Sequence, residues 1–400
     1  LNSLWAVPFF GKAFGVIGVM LCLGIVLQIA LIDFSLGHRG KDGVLRTKVQ
    51  EFPEYQSAEA VLSFLGRASL TGSVAVESSS RMFEELGSPH YFVSELPRRF
   101  HYSTSPGLLL ESSVSTPFLL SPMIGLGEAV NWSRNGLGPY PSVLHQPAAS
   151  LISRLRHYRV EYVIGESEKM RRSMESVEDV HEVFSQGPFS VYGLGVPGEI
   201  VEETQYLPYL YIPRNGQDFR TFFEWAYQSE ELLSIPILFS PDEYLDILKE
   251  DGRRLGGILL GYPPGSQVSD EELEFWRNFP ISKLFLNATL KGERDEAREF
   301  VLSDLESVDA PQKLLEILQS VQGKAAYLPV SASVERNKIT FRSREGVRIR
   351  LSYAPRWKAQ SQRRVYVMFP SFMWMFGEGE EELRYDSSPA LSKLLSSSMP

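Results

Sequence analysis

Cysteine is almost absent from this 400-residue sequence, in which Cys22 is the only one. Because Cys22 falls inside a long apolar stretch near the start, the rest of the chain carries no thiol. That part therefore cannot form a disulfide, a thiolate zinc site or a cysteine nucleophile. A body without thiols fits an extracytoplasmic prokaryotic setting, although many cytosolic domains also lack cysteine.

Basic charge and the common catalytic motifs are lacking as well. The formal net charge of -9 argues against a general nucleic-acid-binding protein, because such a protein needs a basic face. The six histidines form no pair at i, i+4 spacing and no His-x-His motif. A Walker loop, a dinucleotide fingerprint and a Gly-x-Ser-x-Gly elbow are also missing. The sequence therefore predicts no metal, no cofactor and no catalytic residue.

One long apolar run dominates the start of the chain. The run Ala13–Phe34 has no charge before Asp33 and reaches the roughly 20 residues that cross a bilayer as a helix. Trp5 precedes it, where aromatic rings favour the membrane interface. A cleaved signal peptide and a buried helix of a soluble core are the alternatives, but the run is long for both. We predict a transmembrane helix.

The length of the chain predicts several domains beyond this helix, because 400 residues are too many for one ordinary core. The predicted fold class is α/β (mixed α+β), with a C-terminal antiparallel β region. Since the first residue is Leu1 and not methionine, we expect a piece of a longer protein. The predicted parts are a transmembrane helix with its flank (1–36), a connector (37–56), an α/β domain (57–196), a second α/β layer (197–322), a β-rich domain (323–386) and a disordered tail (387–400).

The pattern in the first domain mixes helical spacing with short apolar runs. Helices are predicted at 58–65, 148–158 and around 174–180. Strands are predicted at 72–77, 90–95, 107–111 and 160–164, and a hairpin at 183–192.

Beyond a proline-bearing link at 197–217, strands and helices alternate as in a small parallel α/β layer. The predicted strands of this layer are 235–239, 255–260 and 283–290, and its helices are 241–249, 270–279, 293–305 and 311–321. An all-β region follows, with strands at 326–334, 338–342, 347–353 and 364–369. The acidic run 378–382 is interpreted as a charged turn between strands.

The candidate ligand-binding groups are charged or aromatic. Glu77, Glu95 and Glu111 each end a short apolar run, where α/β sheets place ligand groups, although solvated carboxylates are common there. Rings such as Trp357 and Trp374 could stack on a sugar, rest at the membrane interface or pack in a core. The nominated substrate-binding residues are Glu77, Arg81, Glu111, Arg356 and Trp357.

The late part of the chain resembles a family of polytopic membrane proteins. The segments concerned are Leu351–Lys358, Val365–Met373 and Glu381–Tyr385, which carry a Ser-Tyr, a Trp-Lys and a Tyr-x-x-x-Pro-x-Phe-Met strand. The family is the 6-pyruvoyl-tetrahydropterin synthase-related membrane proteins, which look like multi-span glycosyltransferases that use lipid-linked sugars. The unit from Tyr158–Ile164 to Gly187–Tyr192 is similar to the end of the extracytoplasmic domain in such transferases.

The resemblance implies an extracytoplasmic module that binds or orients a glycan or lipid-linked sugar. Its partners would be membrane lipid and a glycan, with no nucleic acid. Nothing in this sequence matches the histidine-rich zinc site of the pterin synthase, so that activity does not follow. In the transferases the catalytic acid lies on an early loop, so the resemblance assigns no catalytic residue here. A membrane-anchored envelope scaffold and an α/β enzyme acting alone are the alternatives.

The charges around the predicted transmembrane helix point the other way on sidedness. Lys12 precedes the helix, whereas Arg39, Lys41, Arg46 and Lys48 follow it. The positive-inside tendency would place the following part in the cytoplasm. That tendency is weak ahead of a large domain, so the prediction remains a cell-membrane protein whose bulk lies outside the cell.

Overall fold

The computed structural model describes residues 52–385, apart from gaps at 78, 87–90, 101–102, 106–115, 129–140, 196, 215–218, 240–243, 263–265, 278–283, 287–288, 291–298, 302–309, 336–337 and 352–355. It is a mixed α/β structure with several sheets, including antiparallel strands towards the C-terminus, as predicted. The predicted transmembrane helix, the tail and Glu111 lie outside the described residues. Within the described part, no helix has both the length and the apolarity needed to cross a bilayer.

The first sheet is mixed, with the order β2–β1–β3–β5–β4. Its strand β1 pairs in parallel with β2 and β3, whereas β5 pairs antiparallel with β3 and β4. The five strands are β1 (Ser73–Val76), β2 (Thr104–Ser105), β3 (Val160–Gly165), β4 (His181–Gln186) and β5 (Phe189–Gly193). The accompanying helices are α1 (Tyr55–Arg67), α2 (Ser80–Leu86), α3 (Tyr91–Phe100), α4 (Thr116–Leu126), α5 (Pro141–Leu144), α6 (Ala148–His157) and α7 (Glu168–Glu175).

A ten-stranded sheet forms most of the remaining structure, in the order β13–β11–β9–β7–β8–β19–β20–β17–β6–β14. The five strands from β13 to β8 are parallel and the others antiparallel. They are β6 (Val201–Thr204), β7 (Tyr209–Pro213), β8 (Ile237–Phe239), β9 (Gly257–Gly261), β11 (Leu284–Leu286), β13 (Glu299–Val301), β14 (Leu328–Val330), β17 (Gly346–Ile349), β19 (Tyr366–Met368) and β20 (Phe372–Met375).

Strands β7 and β9 of the parallel half are buried on both faces, as in parallel sheets covered by helices. The strand β9 is buried at every position, and so are the first four residues of β7. The helices of this region are α8 (Phe219–Ala226), α9 (Tyr244–Asp251), α10 (Asp270–Arg277) and α11 (Ala310–Gln322), with 3₁₀ turns at Glu231–Ser234 and Gly252–Arg254.

Two smaller sheets complete the described structure. One pairs β10 (Gln267–Val268) in parallel with β12 (Thr289–Leu290). The other is antiparallel, in the order β15–β16–β21–β18, and consists of β15 (Ala332–Glu335), β16 (Lys338–Ser343), β18 (Trp357–Ala359) and β21 (Gly379–Tyr385).

The largest hydrophobic core is shared by the first sheet and the ten-stranded sheet. It contains Val163 of β3, Tyr209 of β7 and Trp374 of β20, all almost fully buried. A second core lies under the amphipathic helix α1, and a third lies under the antiparallel strands. The ten-stranded sheet joins strands from both sides of the proposed boundary between residues 322 and 323, so these two regions are packed as one layer.

Two predicted elements in the first domain differ from the structure. Residues 90–95 were predicted as a strand, but α3 forms there because Phe92, Val93 and Leu96 share one buried helical face. Glu95 therefore does not end a strand, and its carboxylate lies 2.6 Å from Arg99. The helix predicted around 174–180 is α7, which begins earlier because Ser167 caps it.

Three further predictions are wrong in the second half. The 197–217 link contains β6 and β7, whose proline and tyrosine content obscures their strand character. Within 293–305, the described residues Glu299–Val301 form a strand and not a helix. The acidic run 378–382 lies mostly in β21, where Glu381 and Leu383 point inward and the intervening residues are more exposed.

Candidate functional site

The nominated residue Glu77 directly follows β1, beside the parallel strand β3. Its carboxylate is 1% exposed and accepts four hydrogen bonds. The amide N–H groups of Glu166 and Ser167 donate to Oε2 at 2.8 and 3.0 Å. The Ser167 Oγ and the amide of Glu128 donate to Oε1 at 2.6 and 2.7 Å. All of these donors come from the chain itself.

The local sequence makes room for this carboxylate. A Cβ at Gly127 would collide with Glu77 Oε1, so only glycine allows that loop to approach. Ser167 Oγ also accepts from the amide of Met170 at 3.0 Å and so caps α7. The N-terminus of a helix after a parallel strand is where α/β proteins hold anionic groups. Here the anion is the side chain of Glu77.

A second carboxyl group lies beside the first. Glu166 follows β3 and is 5% exposed; its Oε1 accepts from Ser79 Oγ. Its Oε2 has no hydrogen-bond partner within the described structure. Burial, reinforced by the nearby Glu85 and Glu77 carboxylates, raises the pKa of Glu166 to about 7. We call Glu77, Ser79, Glu85, Glu166 and Ser167 the carboxylate centre.

The nominated Arg81 lies on α2 at the edge of this centre. Its side chain is 61% exposed, and its Nε donates to Glu85 Oε1 at 2.7 Å. The structure therefore brings Glu77 and Arg81 into the same region. Both interact electrostatically with Glu166, and Arg81 also pairs with Glu85. Glu111 belongs to the undescribed residues.

The other two nominated residues lie far along the chain, beside the antiparallel sheet. Arg356 is exposed just before β18. Trp357, in β18, is partly buried and packs edge-on against Tyr385, with ring centroids 5.4 Å apart. It belongs to the periphery of the third core. Packing of this kind, and not ligand binding, is the usual role of an aromatic residue in a sheet.

Two adjoining cavities form elsewhere, and we call them together the groove. The first, the aromatic chamber, has a volume of about 270 Å³. Its apolar lining comes from the loop before β7 and from β20 and its continuation, and consists of Tyr206, Leu207, Pro208, Trp374 and Phe376. Arg344 and Glu345 contribute charge at its side.

The second cavity, the polar chamber, has a volume of about 570 Å³. It shares Arg254, Phe376, Gly377 and Glu378 with the aromatic chamber. Its other lining residues are charged or polar: Glu250, Asp251, Gln362, Arg363, Arg364 and Tyr366. The groove thus combines aromatic rings with alternating carboxylates and guanidinium groups.

Ion pairs fix the charged groups of the polar chamber. Arg254 lies 3.2 Å from Asp251, and Arg364 lies 3.8 Å from Glu250. Tyr366 donates its hydroxyl proton to Asp251, and burial together with that carboxylate raises the pKa of the phenol. The Arg254 guanidinium also lies 5.9 Å from the centroid of the Phe376 ring, which is within cation–π range. These contacts hold donors and acceptors around the cavity.

Trp374 is the buried group of the aromatic chamber. It is 1% exposed, and its Nε1 has no hydrogen-bond partner among the groups that the structure describes. A Cβ at Gly346 would collide with the indole, so glycine on β17 is what admits this ring. Buried indole N–H groups usually find an acceptor. The indole N–H is itself shielded from solvent and meets no acceptor within the described structure.

Sequence reasoning named Trp374 as one of several aromatic candidates but missed Arg254, Asp251 and Tyr366. Arg254 and Asp251 lie where α9 passes into a 3₁₀ turn before a buried strand. The density of charge in 249–254 is the only sequence signal there, and it also fits a solvated turn. Their approach to residues 362–378 depends on the pairing of β8 with β19, which no local pattern reveals.

The described residues contain no group of three or more histidine, cysteine, aspartate or glutamate side chains placed to hold a metal ion. Comparison with protein-family models, with curated proteins and with solved structures gave no match.

Proposed function

We propose that the groove binds a glycan, as part of an extracytoplasmic module of a multi-span, glycosyltransferase-like membrane protein. In that protein, the module binds or orients a glycan or lipid-linked sugar, and the catalytic part lies outside this chain. The observation that supports glycan binding best is the aromatic chamber, whose wall combines apolar side chains such as Trp374 with the charged Arg254 and Glu378.

The chemistry of both chambers supports the same ligand class. Sugar rings carry apolar C–H faces, and the aromatic chamber offers them an apolar wall that includes the exposed Leu207 beside the buried rings of Trp374 and Phe376. Their hydroxyl groups both donate and accept hydrogen bonds, so they suit a wall of mixed carboxylates and guanidinium groups. Asp251 and Glu378 supply acceptors, and Arg254 supplies donors. A purely anionic ligand would fit less well, because the charges of the groove are mixed.

A matched pair of substitutions tests this function. Arg253 and Arg254 are adjacent, exposed arginines of one 3₁₀ turn, but only Arg254 lines the groove. The full chain would first be screened on a glycan array, and binding of the best oligosaccharide then measured by calorimetry. We expect Arg254→Ala to weaken binding about tenfold, as loss of a charged hydrogen bond does.

The control is Arg253→Ala, which changes the net charge identically and should bind like the wild type. An equal loss of glycan affinity in both variants would mean that only the net charge matters, and it would contradict a binding site at the groove. Absence of any glycan ligand would favour the alternative, a non-enzymatic envelope scaffold.

The proposed location has its own test. Protease added to intact cells should digest the part after residue 36 if the body lies outside the membrane. Digestion only after lysis would place it in the cytoplasm and contradict the extracytoplasmic proposal. The result would also decide whether the positive charges after Ala13–Phe34 determine the orientation.

A further inference from the structure

The hydrogen-bond donors of the carboxylate centre are unevenly distributed over its three carboxyl groups. Glu77 uses both of its oxygens on four donors from the chain. Glu166 Oε2 and Glu85 Oε2 are both buried, and neither has a hydrogen-bond partner in the described structure. An ionised carboxylate left without donors in a buried place is costly, so a bound proton or cation is needed there.

The surroundings of Glu166 favour a proton over a metal ion. The charged groups that face it are Glu77 at the end of β1, and Arg81 and Glu85 on α2. On its own side, Lys169 of α7 is directed away, because its Nζ donates to the carbonyls of Ile124 and Gly127. The described acidic groups do not form a three-ligand metal site. One exposed arginine therefore faces three carboxyl groups.

This arrangement connects the end of β3 to the start of α2. Ser79 Oγ donates to Glu166 and accepts from the amide of Met82 at 3.0 Å, so it bonds to both. Met82 and Leu86 of α2 are buried in the second core, under α1. A change of charge on Glu166 thus acts directly on the residue that caps α2.

We infer that Glu166 is a proton-dependent contact that holds α2 against the end of β3 when protonated and loosens it when ionised. In the protonated state, the proton removes the repulsion that Glu166 would have with the carboxylates of Glu77 and Glu85. Ionisation places a third negative charge in a buried cluster, and α2, which carries Glu85, can relieve that repulsion by opening. A rise in pKa to about 7 puts this change near neutrality.

Hydrogen exchange of the full chain, followed by mass spectrometry of peptides covering 79–86, tests the inference. After correction for intrinsic rates, we expect protection of α2 to fall about tenfold between pH 6 and pH 8, the linkage for a pKa raised from 4.5 to about 7. Glu166→Gln should abolish this fall. Glu168→Gln, which changes an exposed carboxylate two residues away, should retain it.

A fall of equal size in the wild type and in Glu166→Gln would overturn the inference, and so would no fall in the wild type. Should Glu166→Gln fail to fold, Glu85→Gln provides an independent variant, because it removes the like charge from α2 and leaves Glu166 in place. In Glu85→Gln, the fall in α2 protection between pH 6 and pH 8 should be smaller than in the wild type. A full fall in Glu85→Gln would contradict repulsion as the cause.

Discussion

The carboxylate centre and the groove are both rich in charged side chains, yet they differ in what those side chains contact. Glu77 is saturated by donors of its own chain, at distances of 2.6 to 3.0 Å. In the groove, Arg254, Glu378 and Phe376 line two cavities at once. The first region therefore joins segments of the fold, whereas the second lines a cavity that we propose as a glycan site.

A carboxylate that follows a parallel strand is therefore not by itself a binding site. Glu77 takes the place that an anionic ligand would occupy at the N-terminus of α7. A phosphate or carboxylate ligand is thereby excluded from that position. The charged groups of the groove pair with one another, as Arg254 does with Asp251, but they surround a cavity.

The largest expected effect on stability comes from removing the Glu77 carboxylate. Glu77→Ala leaves four donors, three of them buried, without an acceptor, so we expect the free energy of unfolding to fall by about 3 kcal/mol or more. Denaturant titration would measure it. Formate should restore part of the stability, because it can fill the vacated anion position.

The control for this change is Glu128→Ala, whose exposed side chain lies beside the same centre. It should be nearly neutral. If Glu77→Ala is as stable as the wild type, or if formate does not reduce its loss of stability, Glu77 does not serve as an internal anion.

Trp357 provides the next test, because the sequence nominated it for sugar binding and the structure packs it against Tyr385. We expect Trp357→Ala to lower stability by about 2 kcal/mol, less than for a fully buried tryptophan, and to leave glycan affinity unchanged. Thermal unfolding and calorimetry would be compared. Weaker binding without destabilisation would instead place Trp357 in a binding site.

The global stability of the protein should also depend on pH through Glu166. Burial and neighbouring carboxylates raise the folded-state pKa of Glu166 to about 7, above its ordinary value of 4.5. Its contribution to stability is therefore fully present below pH 4.5 and is lost as the pH rises through 7. We expect Glu166→Gln to remove that loss and to exceed the wild type in stability at pH 8. Parallel stability profiles would contradict this.

The smallest predicted effect concerns the edge of the groove. Glu378 is exposed and lines both chambers, whereas Glu380, also exposed, lies two residues along the chain and lines neither of them. Glu378→Gln should weaken glycan binding about threefold to tenfold, the loss of one hydrogen-bond acceptor. Glu380→Gln should not change it. Equal affinities for both variants would remove Glu378 from the site.

Much of the local structure was predictable from the sequence. The periodicity of α1, α6 and the hairpin β4–β5 is strong, and the alternation of strands and helices after residue 234 gave the parallel layer. The ten-stranded sheet was not predictable, because pairing of β8 with β19 joins residues more than a hundred positions apart. Short apolar runs such as residues 90–95 were ambiguous between strand and helix, and tertiary packing decided them.

The candidate sites were only partly predictable for the same reason. The position of Glu77 at a strand end was readable, but the donors that saturate it come from segments 51 and about 90 residues away. Arg254 and Trp374 line the same cavity because the ten-stranded sheet brings their segments together. Whether a polar residue is satisfied by its own chain depends on such distant contacts.

The most direct test of the contrast is a hydrogen-exchange footprint of the full chain with and without a saturating oligosaccharide identified on the array. We expect new protection in peptides covering residues 204–208 and 374–378 of the groove and none in peptides covering 77–86 and 165–170. Protection confined to 77–86 and 165–170 would contradict the account, because the ligand would then bind at the carboxylate centre and not at the groove.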